Sequence, residues 1–414
     1  MITSFSTALS ALAAHSTAID VVGNNLANLN TTGFKANVIS FHDLVTQSLG
    51  AGLGETQVGF GVGAPVTLRQ FSQGAIQSTG GPLDAAIQGD GFFVVKGAAG
   101  NTQYTRGGNF SVDSGGNLRT ATSDLVQGWT AINGVLDTNL PSGDITVPVG
   151  SLKAPAPTTK FSVDLNLDAS ATPTSATGKF SSSIEIFDSL GNSHVISVNF
   201  TKTATAGQWS YSLTFPAADV TAPITPVTGT LTFDSAGKLT APTSVAAAPV
   251  LNVTGLKDGA APLALTWNIF NQGVPRFTQY SQPSASSALD QDGSAAANLL
   301  RVGLSDGGKV VAQYSNGDQV VVGQMAMVTM RNPQSLISVG NSNYALSAKS
   351  ALPAIGLPGT GGRGQILGGT IEASTVDIAR EFTNLIIFQR GYQANARLIT
   401  TVDEISQETI NLKR

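Results

Sequence analysis

Helical periodicity is confined to the two ends of the chain, and strand-like alternation fills the middle. Near the N-terminus apolar residues fall seven apart at Phe5, Leu12, Ile19 and Leu26, with Ile2 and Leu9 in the companion row. That is a narrow seam of coiled-coil type, interrupted where the companion row continues as Ser16 and Gly23. Ser, Thr, Ala and Asn occupy the other face, and Asp20 is the one formally charged side chain before Lys35. Ser, Thr and Asn compete for backbone hydrogen bonds, so this helix is marginal alone and depends on a partner's apolar stripe. Its stop is expected at Gly33 in a left-handed C′ position, with Phe34 folding back on Leu29. Lys35 then sits near the negative end of the helix dipole. At the other end apolar or small residues recur at Ile378, Phe382, Leu385, Phe388, Tyr392, Ala396, Ile399, Val402 and Ile410. This spacing keeps to one face at ~3.6 residues per turn. Ser374, with Asp377 three residues on, reads as a capping box.

Between the ends the pattern is extended. Residues 35–70 and 355–371 are glycine-rich connectors without helical periodicity, expected to be extended or irregular and to let the terminal helices move. Residues 71–149 show short strands and turns, with turn dipeptides at Asp90-Gly91 and Asn133-Gly134. Within 150–282 Trp209, Tyr211, Leu213 and Phe215 alternate strictly with polar residues, as do Ile196, Val198 and Phe200. That is a half-buried antiparallel sheet of a small barrel or sandwich. Strands resume over 283–354, where Asn316-Gly317 marks a hairpin. The expected fold is multidomain α+β. Residues 1–34 and 372–414 form paired, coiled-coil-like helices. Residues 71–149 with 283–354 form an inner β domain, and 150–282 an outer β domain inserted into it, both mainly antiparallel.

Composition narrows the function. Charged residues are 12% of the 414 and net charge is −4, against about 25% charged in ordinary globular domains, so there is no basic footprint for nucleic acid. Weak charge suits a surface buried against copies of itself, where ions are costly to desolvate, and equally a β-rich extracellular protein. With no cysteine there is no disulfide framework or thiolate chemistry. No apolar run reads as a membrane span, so no membrane insertion is expected. The N-terminus lacks the basic n-region of a cleaved secretory signal.

No catalytic set emerges. His15, His42 and His194 are far apart, without ligand spacing, so neither a metal nor another cofactor is expected. The glycine-rich run 359–364 lacks the Lys-Ser/Thr of a phosphate loop and reads as a hinge. Asp113, Asp188, Asp234 and Asp306 each open a turn closed by glycine. A calcium loop needs several carboxylates where each of these offers one.

Four stretches, in order, carry a family resemblance. Residues 21–35 (VVGNNLANLNTTGFK) resemble the N-terminal signature of the bacterial flagellar axial proteins, the family of rod, hook and hook–filament junction subunits. Residues 81–93 (GPLDAAIQGDGFF) are similar to the opening of that family's first β domain. Residues 369–380 (GTIEASTVDIAR) and 388–396 (FQRGYQANA) resemble its C-terminal helix and the lead-in to it. The insert 150–282 is of the kind hook subunits carry.

The resemblance implies a structural subunit of a helical homopolymer, a curved tube passing torque from rod to filament as a universal joint. It implies export through the flagellar type III apparatus without a cleaved signal, an extracellular place in the hook, and contacts with a hook cap, a distal-rod and a hook–filament junction protein. A distal-rod or junction subunit is the alternative within the family; a secreted glycan-binding adhesin is the alternative outside it. Phe5, Leu9, Leu12, Ile19 and Leu26 are then expected to pack against Ile378, Phe382, Leu385, Tyr392 and Ile399. Asn24, Asn25 and Asn28 are expected to hydrogen-bond between neighbouring subunits, or simply to cap the helix. Phe41 and Val45 resemble the Phe-x-x-x-hydrophobic export signal of early flagellar substrates; simple packing is the other reading.

Overall fold

The computed structural model describes residues 2–44, 46–49, 56–132, 134–173, 175–243 and 248–411. Val45 and the connector glycines Gly50, Gly52 and Gly54 lie outside them. The protein is mostly β-sheet, with an N-terminal helix α1, Ile2–Ala27, and a C-terminal helix α2, Ile378–Asn411. It divides into two compact units, residues 1–149 with 301–313 and 319–414, and residues 150–300 with 314–318.

In the first unit the strand Phe92–Lys96 is central and almost wholly buried. One edge pairs antiparallel with Thr102–Thr105. The other is shared by Leu125–Thr130 and Met327–Thr329, also antiparallel. A strand covered on both faces reads as a continuous apolar run, which is what FFVV supplies. Phe92, Val94, Tyr104, Trp129, Val328 and Tyr344 form the core beside it. Phe71 closes that core edge-on against Phe92 (5.6 Å) and Tyr344 (5.2 Å), a favourable aromatic geometry. The hairpin expected at Asn316-Gly317 is present, with Lys309–Tyr314 paired to Gln319–Met325 and Gly317 at φ 87°.

The connectors are less free than their glycine content suggests. Asn37–Ser40 pairs with Val66–Arg69, and Thr46–Leu49 with Thr56–Gly59. The return segment is stitched to the body: Gln365–Gly368 pairs with Ala85–Gln88, and Thr370–Glu372 with Ile76–Ser78. Gly364 lies so close to the Gln88 carbonyl that a Cβ would strike it. The connector expected to move, residues 355–371, is therefore corrected: from Gly364 onward it is tied to the body. Its later glycines permit close backbone approach, which a strand partner exploits.

The second unit is a sandwich around one core. Lys179–Phe187, Ser193–Lys202, Gln208–Thr214, Val227–Phe233 and Leu239–Ala241 make an antiparallel meander. The alternation read at Trp209, Tyr211 and Leu213 is the alternation of burial along Gln208–Thr214. The second sheet is mixed. Lys160–Asn166 runs parallel to Leu263–Trp267 and Phe277–Thr278, and antiparallel to Ala285–Gln291. Trp267 joins the sheets, stacked on Phe161 (6.1 Å) and edge-on to Tyr211 (5.1 Å). The pairing of Ala285–Gln291 carries this unit past the boundary expected at Gln282, to Leu300.

The aspartate turns follow one design. Asp113, Asp188 and Asp234 each accept, on Oδ1, the backbone N–H groups two and four residues on, at 2.8–2.9 Å. The closing glycines Gly116, Gly191 and Gly237 have φ of 83°, 89° and 78°. Asp306 differs, since its Oδ1 accepts from Gly368 N.

Candidate functional site

The segment after α1, the end of the return strand and the sheet body of the first unit meet at one carboxylate. Glu372, on Thr370–Glu372, is fully buried. Its Oε1 accepts from Lys35 Nζ (2.6 Å) and Gly74 N (2.8 Å), and its Oε2 from Arg106 Nη1 (3.0 Å). Lys35 Nζ also donates to the Ser72 carbonyl at 2.6 Å, and Arg106 Nη2 to the Gly89 carbonyl at 2.8 Å. Burial pushes the Lys35 amine below the usual lysine range, against the pull of Glu372. Burial likewise raises the neighbouring Tyr344 hydroxyl to about 12. Two cations on one carboxylate leave this cluster with a net positive charge inside the fold, which these hydrogen bonds must offset, although the buried Arg106 Nε has no partner among the described residues.

This geometry revises the expected helix stop. α1 ends at Ala27, and Gly33 is not its C′ residue. Gly33 is left-handed (φ 68°), and its N–H donates to the Glu372 carbonyl at 2.8 Å. A Cβ there would sit 2.5 Å from the Arg106 carbonyl carbon. Phe34 lines the groove described below, and its carbonyl accepts from Thr375 N at 3.1 Å. Lys35 serves the Glu372 cluster, not the helix dipole. At α2 the capping box is corrected too. Asp377 alone is the N-cap, its Oδ1 accepting from Arg380 N (3.1 Å), while Ser374 Oγ accepts from Val376 N (3.3 Å) in the preceding turn.

The asparagines separate by role. Asn25 is buried and clamps Asn37 from both sides, Nδ2 to the carbonyl at 2.8 Å and Oδ1 to the N–H at 3.0 Å. It is spent within the chain, which corrects its expected role between subunits. Asn28 caps locally, donating to the Asn24 carbonyl (2.9 Å) and accepting from Thr31 Oγ1 (3.1 Å). Asn24 and Asn28 line a polar groove of about 650 Å³ with Thr32, Phe34, Thr122 and Asn341.

On the terminal helices the buried stripe of α1 is Ala8, Ala14, Ala18, Val22 and Asn25. Leu12, Ile19 and Leu26, with Leu385 and Ile399 of α2, are half-buried. Phe5 and Leu9 of α1, and Ile378, Phe382 and Tyr392 of α2, are exposed at 41–54%, so the expectation that they pack helix against helix in a buried seam is corrected. Small residues let helix backbones approach, and the contact is made that way. A Cβ on Gly391 of α2 would lie 2.6 Å from the His15 ring of α1. His15, Phe41 and Phe388 complete a three-ring cluster with centroids 5.6–6.2 Å apart. Ile386, Ile387, Ile405 and Ile410 are exposed as well, at 49–69%. Phe5–Ala27 reaches the length and mean hydropathy (1.2) of a membrane span, contrary to the sequence expectation. Its hydropathy owes much to alanine, and Ser, Thr and Asn recur through it.

Two features escape the sequence reading. Glu372 is one; the other, in the second unit, is a cluster of Asp188, His194 and Asp258 whose ligand-type atoms lie within 4.8 Å of one another. The spacing of the three histidines gives no metal set, but carboxylates gather around His194. The available signal was the hairpin: Asp188 and His194 flank the turn between two paired strands.

Comparison with known proteins places the chain in a family. Residues 5–35 match the Flagella basal body rod protein family and residues 86–166 the Flagellar hook protein FlgE/F/G D1 domain. Residues 162–294 match the Flagellar basal body protein FlaE D2 domain, and residues 367–412 the Flagellar basal body rod FlgEFG protein C-terminal family. These matches define the class as that of flagellar rod and hook proteins. The chain is 32% identical to the Flagellar hook protein FlgE of Treponema pallidum, over 100% of both chains. It is also 32% identical to that of Escherichia coli K12, over 99% of this chain and 100% of the other. The crystal structure of Helicobacter pylori flagellar hook protein FlgE2 shares the fold, with TM-score 0.52 and 14% identity over 70% of this chain and 99% of that one. The chain belongs to the flagellar hook protein family.

Proposed function

We propose that this protein is the hook's polymerising subunit, building a curved, flexible tube that passes torque from rod to filament. The observation that carries the proposal is the apolar surface left on the terminal helices: Phe5, Leu9, Ile378, Phe382, Ile386 and Tyr392 are exposed. Large apolar side chains in a row on helices mark an interaction surface, and a helical homopolymer covers them with copies of the same helices. In this reading α1 and α2 pair as an inner, coiled-coil-like layer, the sheets of the first unit form the middle layer, and the second unit forms the outer one. Asn24, with the polar groove beside it, meets a neighbouring subunit.

The subunit leaves through the type III export apparatus without a cleaved signal, Phe41 and Val45 contributing to recognition. It folds under a hook cap and meets a distal-rod protein at one end of the tube and a junction protein at the other. A helix rich in Ser, Thr and Asn suits this route, because it gains its stability on assembly.

Removing residues 1–30 tests the proposal. The expected result is a folded β body that forms no tubes in electron microscopy, while the full chain forms curved ones. Normal tubes from the truncated chain overturn the proposal; straight tubes from the full chain assign it to the rod instead.

A further inference from the structure

Asp188, His194 and Asp258 are brought together by three separate backbone devices. Asp188 opens the turn after Lys179–Phe187, and its Oδ1 is held by Leu190 N (2.8 Å) and Asn192 N (2.9 Å). Asp258 is held by one such bond in another loop, with Oδ1 accepting from Ala260 N at 3.0 Å. Each carboxylate thus has one oxygen pinned to backbone and presents Oδ2 to a common point. Asn192 Nδ2 reaches both, at 3.4 Å from Asp188 Oδ2 and 3.1 Å from Asp258 Oδ2. His194, on the paired strand Ser193–Lys202, faces the same point through Nε2, 3.3 Å from Asp188 Oδ2 and 3.6 Å from Asp258 Oδ2. Its other nitrogen, Nδ1, lies 2.9 Å from Asp219 Oδ2.

Three carboxylates therefore surround one imidazole. Among the described residues no lysine or arginine forms an ion pair with them. Lys257, next along from Asp258, donates to the Ala218 carbonyl instead. Asp188 is fully buried and His194 nearly so, while Asp258 lies at the surface and leaves a way in.

We propose that the second unit binds a divalent transition-metal ion, zinc fitting best, through His194 Nε2, Asp188 Oδ2 and Asp258 Oδ2. Ligand atoms at about 2.0–2.2 Å from a tetrahedral zinc stand roughly 3.4 Å apart, and the two separations from Nε2 fall on either side of that value. Nδ1–H donating to Asp219 fixes the tautomer that leaves Nε2 free to ligate, the usual support for a metal-binding histidine. The fourth position, on the Asp258 side, takes water. One nitrogen with two carboxylates favours zinc over calcium or magnesium, which prefer all-oxygen shells. Bound there, the metal clips the Asp188 turn to the Asp258 loop.

The test is calorimetric titration of the chelator-treated full chain with zinc chloride, alongside ¹⁵N-histidine NMR. One zinc per chain is expected, with a shift of the His194 Nε2 resonance. Asp258→Asn, a surface change compatible with folding, is expected to abolish measurable binding; Asp219→Asn is expected to weaken it about 10–100-fold. Absence of saturable binding leaves an ion-paired imidazolium only and overturns the proposal. Binding unchanged in Asp258→Asn, or saturation by calcium chloride in place of zinc, overturns it as well.

Discussion

Glu372 balances two buried cations with one carboxylate, and its neutral isostere exposes that balance. Glu372→Gln keeps the shape but leaves Lys35 and Arg106 without their counter-charge, at a cost of about 3–5 kcal/mol for a broken buried pair. The expected outcome is a fall of that size in the first unit's stability to urea; a loss under about 1 kcal/mol would show that the carboxylate is dispensable. The same burial sets a pH dependence. Lys35 has its folded pKa below the ordinary 10.5, so just below that value the folded chain holds fewer protons there than the unfolded one. Its contribution to stability then rises with pH through the window and is lost as pH falls through the lowered pKa. Nitrogen-detected NMR should show Lys35, like the buried Lys202, titrating before the surface lysines, and a Lys35 resonance moving with the surface lysines would refute this. None of it was legible from local pattern: Glu372 is 337 positions from Lys35, and the lysine's place after a helix pointed to the dipole instead. Gly33 was legible as a residue needing φ > 0, because its surroundings are rich in turn formers. That Arg106 closes on it was not. Gly33→Val thus meets a steric clash as well as the left-handed penalty of ~1 kcal/mol or more.

At the scale of elements, periodicity found both helices and alternation found the meander strands, since each pattern is a direct image of backbone geometry. Periodicity did not say which helical face is buried. It ranks Phe5, Leu9 and Phe382 above Ala8 and Ala18 by size, whereas the close contact at His15 and Gly391 requires smallness. The two faces therefore separate by substitution. Phe382→Ala removes an exposed side chain and is expected to change single-chain stability by less than about 0.5 kcal/mol while preventing tube formation. Gly391→Val drives a branched side chain into the His15 ring and is expected to disturb the helix contact in the single chain. Circular dichroism of the unassembled protein with electron microscopy of its polymers distinguishes them. Loss of helicity in Phe382→Ala would mean that the exposed face already supports the fold. The return segment teaches a related lesson: glycine marks both a loose hinge and a tight approach, and only the strand partner Ala85–Gln88 decides between them.

For the whole molecule, two separate cores imply two cooperative units. One core gathers around Phe92 and Tyr344, the other around Trp209 and Trp267. Sequence alternation marks both as β, but nothing local marks where the chain returns from one unit to the other. Strand Ala285–Gln291 carries no local sign that its partner is Lys160–Asn166. Cores that share no residue can unfold separately, and a single two-state transition is then not expected. Scanning calorimetry of the unassembled chain should show two transitions. Trp267→Ala empties the centre of the second core at a cost of about 3–5 kcal/mol. At roughly 2–4 °C per kcal/mol for a unit of this size, that lowers one transition by roughly 6–20 °C and leaves the other in place. Glu372→Gln should move the opposite transition. If either substitution moves both transitions together, the units are coupled into one cooperative body, and neither unit's stability is its own.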